Sequence, residues 1–128
     1  ECTIVSDGET VHARVLTVAI ANGRQYGNGA IIAPGARIDD GKLDVVVVES
    51  RPPIRALLQA PRMFMGRITQ LPGVTVRQVG TVRIGVGSGV RYHIDGEPFA
   101  GGPWVTITVR PGALRVKVPV DQAHVTVG

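Results

Sequence analysis

Residues 22–49 read NGRQYGNGAIIAPGARIDDGKLDVVVVE. Glycines stand at 23, 27, 29 and 35, a proline at 34, and the turn Asp39-Asp40-Gly41 comes directly before the apolar run Leu43–Val48. Glycine inside a helix or strand costs about 0.5–1 kcal/mol, so this density marks backbone that turns tightly or comes close to something. Four consecutive valines suit a strand buried on both faces. The stretch predicts a loop–strand–turn–strand unit in which a dry strand fixes an acidic corner. A second stretch of the same kind is Tyr92–Pro98, YHIDGEP, where a strand also ends in two carboxylates and a glycine.

Outward from that unit the chain reads as β. Cys2–Ser6 alternates and meets Asp7-Gly8, a hairpin turn pair. The run Thr10–Ile20 alternates at first and then becomes apolar on both sides, as a strand entering a core does; Asn22-Gly23 ends it. Ala30–Ala33 is a short strand closed by Pro34-Gly35. Pro52 and Pro53 interrupt the pattern, and Ile54, Leu57, Leu58, Pro61 and Met65 recur at helical spacing, which predicts one short helix over about 53–65 stopped by Gly66. Met63, Phe64 and Met65 on it form either a packing face or a lipid-facing wall. After the turn Leu71-Pro72-Gly73, strands are expected at 74–79, 81–86, 90–94, 104–109 and 114–118. The fold class is all-β: an antiparallel β-sandwich with one short helix. The 128 residues fit one domain, 1–128.

Fourteen basic against ten acidic residues give a net charge of +4, compatible with an acidic membrane surface or with phosphates. The arginines are scattered singly and no basic block interleaves with aromatics, which argues against nucleic acid. One cysteine, Cys2, excludes an internal disulfide framework and fits a reducing compartment. No apolar run reaches the length of a membrane span. The start at Glu1, already near strand pattern, suggests a piece of something longer.

Two carboxylate corners could carry chemistry. Asp95 and Glu97 lie two apart, so a continuing strand would aim both at one face, where they could hold Mg²⁺ or supply a base toward a hydroxyl. The same residues also make an ordinary β-turn and strand exit. Asp39, Asp40 and Gly41 could offer carboxylate and carbonyl oxygens to a hard cation, or be a turn closed by Asx hydrogen bonds. Asn22-Gly23, with Gly27 and Gly29, could admit a phosphate to the backbone. His12, His93 and His124 have no metal-ligand spacing and read as strand-surface residues. No P-loop and no G-x-S-x-G nucleophile setting is present.

Taken in order, Asn22-Gly23, Gly27 and Gly29, Ala33-Pro34, Ile38-Asp39-Asp40-Gly41-Lys42-Leu43-Asp44-Val45, Asp95-Gly96-Glu97 and Leu114-x-Val-x-Val-Pro119 resemble the C-terminal domain of the diacylglycerol kinase, sphingosine kinase and ceramide kinase superfamily. The bacterial soluble lipid kinases are the nearest match, over about 10–120. The resemblance implies a sandwich forming one wall of an interdomain cleft. The other wall would be an N-terminal nucleotide-binding domain whose Gly-Gly-Asp-Gly-Thr loop this chain lacks. It implies ATP as co-substrate, a lipid hydroxyl as acceptor, and an inactive isolated fragment. By the same resemblance Glu97 is the base and Asp95 its orienting partner or the residue on the Mg·ATP side. Asn22, Gly23 and Gly96 line the nucleotide side, and a structural Mg²⁺ sits on Asp40 and the carbonyls of Arg37 and Lys42. The expected setting is cytoplasmic, with at most peripheral contact at the inner membrane face. Self-association of the isolated piece is expected through surface that would otherwise meet the partner domain. The alternative is a non-catalytic β-sandwich that binds lipid or protein, with Asp95 and Glu97 as plain turn residues. A glycosidase-like pair is disfavoured, because acids two apart on one strand share one wall.

Overall fold

The computed structural model describes residues 1–27, 29–50, 67–115 and 117. Two antiparallel sheets make the body. The first has the order β11-β8-β1-β2, from Trp104–Thr108, Thr81–Gly85, Cys2–Ser6 and Glu9–Ala13. The second has the order β3-β6-β7, from Val15–Ala21, Leu43–Glu49 and Val74–Val79. Two short ribbons complete it: β4 (Gln25–Tyr26) with β5 (Ala30–Ile31), and β9 (Arg91–Ile94) with β10 (Glu97–Ala100).

The valine run is the central strand of the second sheet, as its composition demands. Alternate side chains go to opposite faces. Leu43 and Val45 join Cys2, Ile4, Val79, Val82 and Ile84 in the core between the sheets. Val46 faces the other way, with Ala21, Ile32, Ala33, Ala36, Ile68 and Leu71. Neither face of β6 is wet, which is why the sequence there does not alternate. Burial pushes the thiol of Cys2 up from its ordinary range, despite the opposing charge of the amino terminus.

Several boundaries differ from the sequence reading. Thr10–Ile20 is not one run. Arg14 divides it, with β2 in one sheet and β3 in the other, and the Arg14 carbonyl accepts the Ser50 N–H at 2.9 Å. Ala30–Ala33 pairs only over Ala30–Ile31, yet Ile32 and Ala33 are buried, tied by their N–H groups to the Arg24 carbonyl. The strand expected at 114–118 is not formed at 114, 115 or 117. There the chain turns at Pro111-Gly112, and Leu114 is left 80% exposed. Strand β10 was not expected at all, because Pro98 reads as a strand exit. It is tolerated because β10 pairs on one side only, and an edge strand can do without one N–H. The short helix at 53–65, with Met63–Met65, falls outside the described residues.

Candidate functional site

The Asp39-Asp40-Gly41 turn is wired into the sandwich. The Arg37 guanidinium donates to both oxygens of Asp39, at 3.1 and 3.2 Å. That contact holds the Asp39 carboxyl below the usual carboxylate range, first through the hydrogen bond and then through the charge. Asp40 is thus the acid left over. Its Oδ1 accepts the Lys42 N–H at 2.9 Å, an Asx turn that leaves Oδ2 free for another partner. Among the described residues the carbonyls of Arg37 and Lys42 accept no backbone hydrogen bond. Nor do three His, Cys, Asp or Glu side chains gather to hold a metal by themselves. One carboxylate oxygen and two carbonyls without a backbone partner are oxygen donors of the kind a hard cation takes.

Two neighbours fix this corner. Gly41, at φ +69°, lies where an added Cβ would stand 3.2 Å from the Pro111 ring. A Cβ on Gly23 would stand 3.8 Å from Ile38, so Asn22-Gly23 and the 37–42 loop are adjacent. The pairing Ala21↔Asp44 sets that adjacency. Gly27 and Gly29 are explained by the turn they make. Both have positive φ, Gly29 donates to the Gly27 carbonyl, and nothing lies within 4 Å of either added Cβ.

The second corner is built differently. Asp95 (φ +49°) and Gly96 (φ +94°) are the two loop residues of a hairpin closed by the pair Ile94↔Glu97. Positive φ at both positions is the I′ turn that suits strand twist. The extended continuation that would have put Asp95 and Glu97 side by side on one strand is therefore absent. Asp95 is at the tip and Glu97 opens β10. Among the described residues neither carboxylate is hydrogen-bonded or ion-paired, and both are exposed.

The register attaches the two corners at opposite ends of the β8–β11 pair. Thr81↔Thr108 lies beside Gly80 and leads to Pro111 and the Asp40 turn; Gly85↔Trp104 leads to the ribbon. The structure places Asn22-Gly23 beside the loop that contains Arg37, Asp40 and Lys42. No hydrogen bond, ion pair or ring contact among the described residues joins them to Asp95, Gly96 or Glu97. A cleft of ≈ 330 Å³ lined by Ser6, Asp7, Glu9, Arg77, Gln78 and Val79 contains none of these residues. His12, as expected, is a surface residue, bonded across strands to Thr3 at 3.0 Å.

Sequence reasoning passed over Asp44. It is 3% exposed, and both its oxygens face the Gln78 amide at 3.4 Å across the β6–β7 pair. The available signal was an acid inside a run whose neighbours are apolar on both faces.

Residues 1–118 match the family profile of the YegS C-terminal NAD kinase beta sandwich-like domain. The chain belongs to that family. A Pseudomonas fluorescens protein named "Probable lipid kinase YegS-like" is 36% identical over 118 residues, covering 86% of this chain and 36% of that protein. A protein of the same name from Pseudomonas aeruginosa is 35% identical over 112 residues, covering 81% and 33%. The YegS-type domain thus spans about a third of the length of the curated relatives it matches. Among solved structures, a diacylglycerol kinase from Bacillus anthracis superposes with a TM-score of 0.59 at 19% identity, covering 88% of this chain and 43% of that one. A second B. anthracis structure under the diacylglycerol kinase name gives 0.65 at 20% identity, covering 88% and 42%. These two likenesses concern the fold. Among the described residues no helix is long and apolar enough to cross a membrane.

Proposed function

We propose that this chain is the substrate-side, C-terminal domain of a two-domain, ATP-dependent lipid kinase. The observation that carries the proposal is the similarity along nearly the whole chain to proteins named as lipid kinases, at 36% identity in the P. fluorescens case. The nucleotide loop Gly-Gly-Asp-Gly-Thr is not in this sequence, so on this reading the fragment alone does not turn over substrate.

Phosphoryl transfer asks mainly for positioning and for charge neutralisation. In this reading Glu97 accepts the proton of the lipid hydroxyl while that oxygen forms its bond to the γ-phosphorus. The bond from γ-phosphorus to the bridging oxygen breaks, ADP leaves with that electron pair, and Glu97 later returns the proton to water. Among the described residues its carboxylate has no hydrogen-bond or ion-pair partner, which leaves it available to a hydroxyl. Asp95 at the tip faces the Mg·ATP side. Gly96, in the ribbon's turn, leaves room for a nucleotide in a cleft completed by the other domain; Asn22-Gly23 lies beside the 37–42 loop, at the other end of the β8–β11 pair, and is left out of that site. Asp40, with the Arg37 and Lys42 carbonyls, would hold a Mg²⁺ that supplies positive charge to the 37–42 loop. Because that loop and the ribbon attach at opposite ends, we assign that site to structure rather than to the reaction.

The test is transfer of labelled γ-phosphate from ATP by the two-domain protein to a panel of diacylglycerol, phosphatidylglycerol, a sphingoid base and ceramide. Label in at least one lipid is the expected result. Label in none would leave the family membership standing and remove the kinase assignment.

A further inference from the structure

The β9–β10 ribbon has two unlike faces. Directly opposed residues of an antiparallel pair share a face, so Ile94↔Glu97 and Phe99↔Tyr92 put Tyr92, Ile94, Glu97 and Phe99 on one side. Arg91, His93, Pro98 and Ala100 are on the other. The first side is apolar except for Glu97. Tyr92 and Phe99 stack with centroids 5.6 Å apart, and Ile94 and Phe99 are 54% and 46% exposed. That side is continuous with the sandwich interior. A Cβ on Gly101 would stand 3.2 Å from the Tyr92 ring and 2.8 Å from Val105, so both side chains lie against the bare glycine. Val105 in turn opposes Ile84, a residue of the core between the sheets.

An apolar strip therefore runs from the mouth of the core, over Tyr92 and Phe99, to Ile94, and ends beside a free carboxylate. Its two rows lie two residues apart along the strand, about 7 Å. A water-soluble acceptor has no use for the strip, and a protein surface has no need of the unpaired acid within it. An amphiphile with a hydroxyl next to a hydrocarbon chain matches both.

Resting on the kinase reading above, we propose that this face is the acyl-chain track of the acceptor: Tyr92, Ile94 and Phe99 carry the chain and set its orientation, so that the hydroxyl arrives at Glu97. These three are then the residues that select long-chain over short-chain acceptors.

The experiment uses the two-domain enzyme with dibutyrylglycerol and dioctanoylglycerol, which share a reacting hydroxyl and differ in chain length. Ile94→Ser and Phe99→Ser should each raise KM for dioctanoylglycerol roughly tenfold, as expected for losing a large apolar contact. Dibutyrylglycerol should be affected far less, and Phe99→Leu should restore most of the discrimination. Leu16→Ser, at an exposed apolar position of β3 in the other sheet, separates the track from general membrane partitioning and should change neither acceptor. Equal losses on both acceptors would mean that the face meets protein, and would overturn the track while leaving the kinase assignment intact. Unchanged KM values would do the same. No phosphorylation of either acceptor by the unmodified enzyme would overturn the track; the kinase assignment would fall with it only if the other lipids of the panel also stayed unlabelled.

Discussion

Two of the three Asp-Gly corners of this molecule, at 39–42 and 94–97, are supported in opposite ways. At residues 39–42 the turn is held by an Asx bond, a bidentate Arg37–Asp39 contact and packing of Gly41 on Pro111, and it feeds the most buried strand of the domain. At residues 94–97 the turn is closed by its hairpin pair, and among the described residues its acids make no hydrogen bond or ion pair. Local sequence is enough to bend a chain in either place. What differs is whether the surroundings use up the carboxylates. Where they do, the acid belongs to the fold; where they do not, its desolvation awaits another body or a ligand.

The comparison can be broken in several places. The largest effect should come from Glu97→Gln in the two-domain enzyme. Turnover should fall about 10²- to 10⁴-fold, the usual worth of a general base, with the unfolding midpoint unmoved. Next are the paired changes Gly41→Ala and Gly96→Ala. Both force a side chain into positive φ, which costs about 1–2 kcal/mol locally. The Gly41 change adds a 3.2 Å approach to Pro111 and sits on the global core, so denaturant melts should show the full loss. The Gly96 change falls in the turn of a two-stranded ribbon that contributes no residue to either core cluster, and the global midpoint should scarcely move. Asp40→Ala should cost about 0.5–1.5 kcal/mol, the net worth of its bond to the Lys42 N–H, and should abolish any stabilisation by added Mg²⁺.

The smallest effect is a pH dependence. Asp39 has its folded-state titration depressed by Arg37, so its contribution is present above the ordinary carboxylate range and is lost as pH falls through the depressed value. Both groups are exposed, so solvent screening keeps that contribution small. Asp39→Asn should flatten the acid limb of a melting profile slightly; a steeper limb would show that the pair is misassigned.

Much of the sandwich was legible in the chain. The valine run fixed β6 as a central strand, and the Asp7-Gly8 and Asp95-Gly96 pairs announced two hairpins. The division at Arg14 was not legible, because strands on either side of a sheet-to-sheet corner have the same composition as one long strand. β10 was hidden by Pro98, whose cost depends on whether its strand has a partner on both sides, a tertiary fact. The candidate site was legible as residue types and no further. The choice of Asp40 over Asp39 came from the family resemblance, not from the residues themselves; the structure adds that Asp39 is already paired with Arg37. That the two acidic corners enter from opposite ends of one strand pair is a matter of register, which no single stretch encodes.

The most direct test of this division of labour crosses two variants with two readouts. Turnover and thermal midpoint are measured on Glu97→Gln and on Asp40→Ala in the same two-domain enzyme with Mg²⁺ present. The account predicts a crossed result: Glu97→Gln loses turnover and keeps its midpoint, whereas Asp40→Ala loses midpoint and, below that midpoint, keeps turnover within a few-fold. If Asp40→Ala abolishes turnover at an unchanged midpoint, or Glu97→Gln turns over normally, the two corners have been given the wrong roles.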